Sequence, residues 1–210
     1  ISDTEDQKGI LHVVDQGNVD GLLLTSPCGD CTPLTSGLAD RGMPFVRLSP
    51  MNRKGSSTVS TDHKQGALEM IRYLIALGHR RVALVTGAMN QLVSHNLLDG
   101  YRAALREAGL DLDDELVAQG DFSFESGVHA GEILFGLKNR PTAVMASNDD
   151  MAAGVMAAAH RANLHIPNDI SIAGFDDIDL SKQIWPPLTT VHQKLGHLAQ
   201  TATDLLLDLI

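Results

Sequence analysis

Basic residues are scarce in this sequence. Its 16 Lys and Arg stand against 26 Asp and Glu in 210 residues, which gives a formal net charge of −10 at pH 7. Proteins that bind nucleic acids neutralise phosphates with clustered Lys and Arg. The charge balance therefore argues against nucleic-acid binding through the surface of this chain itself.

Long hydrophobic runs and the signatures of several kinds of site are also missing. No apolar stretch approaches the roughly 18–20 residues that cross a bilayer as a helix, so we expect no membrane partner. The chain has no G-x-x-x-x-G-K-[ST] or G-x-G-x-x-G phosphate loop, no H-E-x-x-H or calcium-loop pattern, and no G-x-S-x-G nucleophile elbow. We therefore predict no catalytic residue, no metal and no cofactor.

Only two cysteines are present, and they form the C-x-x-C motif Cys28–Cys31 in "SPCGDCTPL". Such a pair is either a redox dithiol, half of a zinc site, or simply two small residues in a strand-to-helix loop. A complete zinc site needs further ligands at suitable spacing, and the sequence has no second C-x-x-C. Because the supporting context is missing, the loop interpretation is favoured over the redox one.

Short apolar runs alternate with amphipathic segments along the chain. The runs do not alternate polar and apolar residues strictly, as is typical of strands buried on both faces; they are residues 19–25, 44–49, 81–86, 142–147 and 170–175. The segments between them have the helical period; they are residues 66–77, 97–108, 126–137 and 151–162. Strand alternating with helix predicts an α/β fold with parallel sheets.

Acidic residues follow two of these predicted strands. Asn148, Asp149 and Asp150 come directly after residues 142–147, and Asp176 comes directly after residues 170–175. Ligands of open parallel sheets bind outside the carboxyl ends of the strands, so these side chains lie where a ligand is expected. Asp149 or Asp150 could also act as the N-cap of the next helix, and the two roles are compatible.

The acids and nearby aromatics suit one ligand class best. Carboxylates would repel an anion, whereas carboxylates and amides bind vicinal hydroxyl groups and an aromatic ring covers the C–H face of a sugar. Phe122 and Phe124 in "GDFSFESG" could supply such a ring, or could simply pack in the core. The sequence therefore favours a neutral, polyhydroxylated ligand.

Several segments, taken in order, resemble the effector-binding core of the LacI/GalR family of bacterial transcription regulators. They are "LIALGHRRVALVTG", "LLDGYRAALREAGL", "GDFSFESG", "RPTAVMASNDDMAAGVMAAAHRANLHIPNDISIAGFDDID" and "PPLTTVHQ". The resemblance runs from about residue 19 to the end of the chain, and residues 140–193 are its most specific part.

The resemblance implies a periplasmic-binding-protein-like α/β fold of two Rossmann-like parallel-sheet lobes, joined by crossover strands, with a ligand in the cleft. Residues 1–62 plus 193–210 would form an incomplete N-terminal lobe, and residues 63–192 the C-terminal lobe. The chain would then be truncated at both ends. The family's helix-turn-helix, through which a cytoplasmic homodimer binds operator DNA, would be absent from it.

The resemblance also transfers some site residues. Asn148 and Asp149 match the family turn "N-D-x-M-A-x-G", Asp176 matches the Asp of "G-[FY]-D", and Phe122 matches the aromatic of "G-D-[FW]"; all four would contact the effector. One position departs, because Leu97 replaces the Arg of "R-L-x-G-[FY]". The bidentate clamp of a guanidinium is lost there, and Leu97 could instead form an apolar wall of the site.

We therefore expect an effector-sensing domain that is not an enzyme and that binds a sugar or polyol to control operator binding. A periplasmic sugar-binding protein of a transporter shares the fold and is the alternative, and a C-x-x-C thiol oxidoreductase is a remote one. Trp185, the only tryptophan, is expected at a dimer contact or in the core rather than on the ligand.

Overall fold

The structure is a computed structural model that describes residues 4–26, 28–51 and 56–210, with side chains from residue 7 onward. The chain divides into two compact units. The first consists of Ile1–Thr61 together with Lys194–Ile210, and the second of Asp62–Gln193. We call them unit 1 and unit 2. None of the described helices is long and apolar enough to cross a membrane.

The described residues of unit 1 form a three-stranded parallel sheet and three helices. The strands are β1 (Leu22–Leu24), β2 (Phe45–Leu48) and β3 (Ser57–Val59), in the order β1-β2-β3. The helices are α1 (Thr4–Asp15), α2 (Thr32–Asp40) and α8 (Leu195–Leu207). Its small core is built around Val14, Leu24, Leu34 and Leu38, all buried.

Unit 2 contains a five-stranded parallel sheet in the order β5-β4-β6-β7-β8. The strands are β4 (Val82–Thr86), β5 (Val117–Gln119), β6 (Ala143–Ala146), β7 (Ser171–Asp176) and β8 (Thr189–His192). The helices are α3 (His63–Ala76), α4 (Leu92–Glu107), α5 (Phe124–Gly136), α6 (Asp149–Arg161) and the short α7 (Leu180–Gln183).

The sheet of unit 2 separates two hydrophobic cores, which explains the uninterrupted apolar strands. Every residue of β4 and β6 is buried. Val82 and Leu84 of β4 pack with residues of α3 and α4, whereas Ala83 and Val85 pack with residues of α5 and α6. Successive side chains of a strand point to opposite faces, so a strand covered by helices on both faces must be apolar at every position.

The predicted fold class is confirmed. All five predicted strands are present as β1, β2, β4, β6 and β7, and all four predicted helices are present as α3 to α6. Strands β3, β5 and β8 were not predicted; they have only three or four residues each, and most of these residues are not fully buried. Such short strands show too few residues for a periodic pattern to be recognised.

Candidate functional site

The candidate ligand-binding residues of unit 2 all lie at one edge of its sheet. Asn148 and Asp149 follow β6, Asp176 is the last residue of β7, and Phe122 lies in the loop after β5. These strands are parallel members of one sheet, so their carboxyl ends point the same way. The residues therefore surround the position that ligands take in parallel sheets.

Asn148 connects helix α6 to the loop that carries Phe122. Its side-chain oxygen accepts a hydrogen bond from the Met151 backbone N–H at 2.9 Å, which makes Asn148 the N-cap of α6. Its amide nitrogen donates to the Phe122 carbonyl oxygen at 2.9 Å. The expectation that Asp149 or Asp150 caps this helix is therefore wrong, because the capping hydrogen bond is made by the Asn148 side chain.

Asp149 is completely buried and bonded within the protein. Its Oδ2 accepts from the Ile178 N–H at 2.9 Å, and its Oδ1 accepts from the Thr190 hydroxyl at 2.6 Å. Burial raises the pKa of Asp149, and these two hydrogen bonds act against that rise. Asp149 thereby joins the start of α6 to β8 and to the segment after β7. Its two hydrogen bonds hold the loop that follows Asp176 in place.

Asp176 is a carboxylate at this edge whose pKa is strongly raised. Its Oδ1 accepts a hydrogen bond from Gln193 Nε2 at 2.6 Å. Burial raises the pKa of Asp176 to about 6; the Gln193 bond opposes the rise, and the nearby Asp149 and Asp150 carboxylates add to it. A half-buried carboxyl with a strongly raised pKa, at the sheet edge where ligands are expected, is a typical candidate for a functional site.

The backbone at this point is also unusual. Asp176 has φ of 112° and Asp177 has φ of 58°, and both lie in the region that residues other than glycine rarely adopt. Such conformations persist only where the surrounding structure holds them, and they concentrate at ligand sites. The bonds to Asp149 and Gln193 provide that support.

Asp177 behaves in the opposite way to its neighbour. It accepts hydrogen bonds from Ser181 Oγ at 3.1 Å and pairs with His192 Nδ1 at 2.8 Å, while Lys182 Nζ lies 3.4 Å away. The bond to His192, followed by that to Ser181, lowers the pKa of Asp177. Asp177 is therefore an ionised group that anchors the start of α7, whereas Asp176 titrates near neutral pH.

Phe122 adopts a left-handed conformation with φ of 74° and packs on the backbone of Gly87. A Cβ atom added at Gly87 would overlap the Phe122 ring, so the ring occupies the space that any other residue would fill. Phe122 is half-buried and also contacts the core between the sheet and α5 and α6. The Phe122 ring is thus held against the loop after β4, and the Asn148 amide holds the Phe122 backbone through its carbonyl oxygen.

Three other residues lie away from this edge or inside the core. Phe124 lines a surface cavity of about 310 Å³ together with Ala153, Met156 and Trp185. Trp185 is 82% exposed, so of its two expected places the core is wrong, and the dimer contact stays a prediction. Leu97 is fully buried against α3 and the sheet, so the expected apolar ligand wall at Leu97 is wrong too.

Sequence reasoning missed three residues that shape the site. Thr190 and Gln193 hold Asp149 and Asp176, and Gly87 provides the surface for Phe122. Thr190 and Gln193 belong to the segment "PPLTTVHQ", but no local pattern in it indicates the aspartates that they contact. The contact between Gly87 and Phe122 joins residues of separate loops, and no local pattern indicates it.

Comparisons with known proteins agree with this architecture. Residues 71–210 match the model of a family described as periplasmic binding protein-like domain. The ribose operon repressor of Escherichia coli K12 is 37% identical over 203 residues, covering 95% of this chain and 61% of the repressor. The HTH-type transcriptional repressor PurR of Erwinia tasmaniensis is 38% identical over 210 residues, covering 98% and 61%. The chain thus spans less than two thirds of these relatives.

Solved structures show the same relationship. A complex of the transcriptional regulator CelR with cellobiose superposes with a TM-score of 0.92 at 30% identity, covering 98% of this chain and 64% of that one. A regulatory protein of the LacI family from Chloroflexus aggregans superposes with a TM-score of 0.88 at 32% identity, covering 98% and 75%. The chain therefore belongs to the LacI family of regulatory proteins, and its residues 71–210 to the periplasmic binding protein-like domain family.

Proposed function

We propose that this chain is the effector-sensing core of a LacI-type transcription regulator and that it binds a neutral sugar or polyol. The observation that carries the proposal is the half-buried Asp176 carboxyl, held by Gln193 at the carboxyl end of β7. A related regulator in complex with cellobiose and a related ribose operon repressor support a sugar as the ligand class.

The four candidate residues then have different roles. Asp176 accepts hydrogen bonds from ligand hydroxyl groups, and the Phe122 ring covers an apolar face of the ligand. Asn148 donates to the Phe122 carbonyl oxygen and thereby sets the position of the Phe122 loop. Asp149, whose oxygens are bonded to Ile178 and Thr190, belongs to the site as the group that holds the Asp176 loop in place.

In the whole protein, ligand binding would control DNA binding from a distance. A ligand shifts a conformational equilibrium only by its difference in affinity for the two states, and couplings of about 1–3 kcal/mol are typical. The DNA-binding part would lie outside this acidic chain, in the remainder of a longer protein such as its relatives. We place this regulator in the cytoplasm, where operators are, and assign it no enzymatic turnover.

We also propose that the regulator is a homodimer, as its family resemblance implies. Unit 2 offers an apolar surface for this contact, formed by Trp185, Phe124, Leu180, Ile184 and the exposed side of α6. Trp185 is 82% and Phe124 is 41% exposed. An apolar patch of this kind on a globular protein is typical of a protein–protein contact, and a second copy is the occupant we assign to it.

A ligand screen with a matched pair of variants tests the proposal. Thermal unfolding would be measured with monosaccharides, disaccharides, polyols, nucleosides and sugar acids, each with and without EDTA. We expect one or more neutral sugars to raise the unfolding temperature, since a ligand that binds only the native state stabilises it. EDTA should have no effect, because the proposed contacts contain no metal.

Asp176→Asn should abolish the response, whereas Asp179→Asn should retain it. Asp179 is an exposed aspartate of the same segment and makes no capping hydrogen bond. A response only to anionic ligands, or one that EDTA removes, would contradict the proposed ligand class.

A further inference from the structure

The two cysteines of the chain lie in one turn at the carboxyl end of β1. Cys28 begins the 3-10 turn Cys28–Asp30, and Cys31 is the N-cap residue of α2. The Cys31 N–H donates to the Cys28 carbonyl oxygen at 3.1 Å. A 3-10 turn rises about 2 Å per residue and places side chains i and i+3 on the same side. Three residues therefore separate the two Cα atoms by about 6 Å, within the range of about 4.4–6.8 Å that disulfides need.

The turn is held in place by groups other than the cysteines. The buried Arg47 of β2 donates from Nη1 to the Gly29 carbonyl oxygen at 3.2 Å. Asp30 accepts from the Met51 N–H at 2.6 Å and from Ser26 Oγ at 3.4 Å. Because these bonds fix the peptide between the two cysteines, joining the sulfurs requires side-chain rotation and little movement of the backbone.

Both thiols are free and partly exposed, so a small oxidant can reach them. Each side chain also packs against the core of unit 1. Zinc is the other common use of a C-x-x-C motif. Within residues 4–26, 28–51 and 56–210, no three or more His, Cys, Asp or Glu side chains are grouped so as to hold a metal. The pair therefore fits dithiol chemistry better than metal binding.

We propose that Cys28 and Cys31 form a reversible thiol–disulfide site that low-molecular-weight disulfides such as oxidised glutathione can oxidise. The thiolate of one cysteine attacks a sulfur of the oxidant, which forms a mixed disulfide and releases one glutathione thiolate. The thiolate of the second cysteine attacks the protein sulfur of that mixed disulfide and releases the second glutathione thiolate. The two cysteine protons end on the two released glutathiones, and two electrons pass from the protein to the oxidant.

The site lies where a change of oxidation state has consequences. Ligands of parallel sheets bind at the carboxyl ends of the strands, and the turn Cys28–Asp30 follows the carboxyl end of β1. Oxidation would replace two thiols by one disulfide and so alter the surface that unit 1 presents there. The disulfide itself does not depend on the proposed effector binding, so its test is independent of that proposal.

The test uses the 210-residue chain in buffers with increasing ratios of oxidised to reduced glutathione. After acid quenching and alkylation of the remaining thiols, the intact mass is measured. We expect a monomer whose mass is lower by two hydrogens and which takes up no alkylating agent. After treatment with dithiothreitol, both cysteines should be alkylated again. Because the chain has only two cysteines, an intramolecular disulfide can join only Cys28 to Cys31.

Single variants supply the control. Cys28→Ser and Cys31→Ser should each stop at an adduct with one glutathione, since the resolving thiol is missing. Three results would overturn the proposal: two alkylatable thiols that persist in excess oxidised glutathione, a wild-type chain that stops at the glutathione adduct, or a disulfide formed only between two chains.

Discussion

Replacing Asp176 by Asn should change how the stability of the chain depends on pH. Burial raises the pKa of Asp176 from 3.8 to about 6 in the folded chain. At a pH between these two pKa values, Asp176 keeps its proton in the native state but has released it in the unfolded chain. The free energy of unfolding therefore falls as the pH rises through this window, and above it the full penalty of burying the ionised carboxylate is present.

The size of this penalty follows from the shift. One pKa unit corresponds to about 1.4 kcal/mol, so the shift of Asp176 from 3.8 to about 6 corresponds to about 3 kcal/mol. Asn has nearly the same shape, keeps an oxygen that can accept from Gln193 Nε2, and does not titrate. Relative to wild type, the Asp176→Asn variant should therefore gain about 3 kcal/mol of unfolding free energy between about pH 4 and pH 7.

Urea unfolding at a series of pH values measures this gain. The difference between variant and wild type isolates Asp176, because the raised pKa of Asp149 and the lowered pKa of Asp177 contribute to both proteins. Asp179→Asn is the control and should run parallel to wild type at every pH. If the Asp176→Asn curve also runs parallel to wild type, the carboxyl is not desolvated in the way that the structure indicates.

Ligand affinity should show the matching pH dependence. If Asp176 accepts hydrogen bonds from ligand hydroxyl groups, only its ionised form binds well. With a pKa of about 6 for Asp176, the ionised fraction and the affinity should rise about tenfold from about pH 5 to pH 7. An affinity that falls as the pH rises over this range would show that the protonated Asp176 carboxyl donates a hydrogen bond to the ligand instead.

Three further predictions concern the surroundings of the site and the exposed apolar surface. Gly87→Ala forces the Phe122 ring out of its place, which should cost about 1–3 kcal/mol in urea unfolding and weaken sugar binding, whereas Gly196→Ala, with open space around it, should do neither. Asn148→Ala should lower the free energy of unfolding by about 1–2 kcal/mol, because the helix cap is lost. Asn148→Asp can cap the helix but cannot donate to the Phe122 carbonyl oxygen. The Asp variant should therefore regain stability without regaining affinity for the sugar. Trp185→Ser should leave stability nearly unchanged, because the side chain is 82% exposed, but should shift sedimentation velocity from dimer to monomer; a variant that still sediments as a dimer would refute the proposed contact.

The alternation of strands and helices was readable from the sequence because it is a local property. Strands β4 and β6 are covered on both faces, so every position is apolar, and their helical neighbours repeat apolar residues with the period of a helix. The same regularity places Asn148 and Asp149 after strand β6 and Asp176 at the carboxyl end of strand β7. In a parallel sheet that position alone assigns them to one edge, without any knowledge of their contacts.

The tertiary structure decided what those side chains do. Three aspartates at this edge have the same side chain but different surroundings. Asp149 is buried and bonded to Thr190, and Asp177 is bonded to His192. Burial raises the pKa of Asp176 to about 6. The partners Thr190 and His192 lie on β8, beyond the reach of any local pattern. A pKa depends on the burial and charge that three-dimensional packing creates around a group, and for that reason the sequence located the carboxylates but could not assign them different roles.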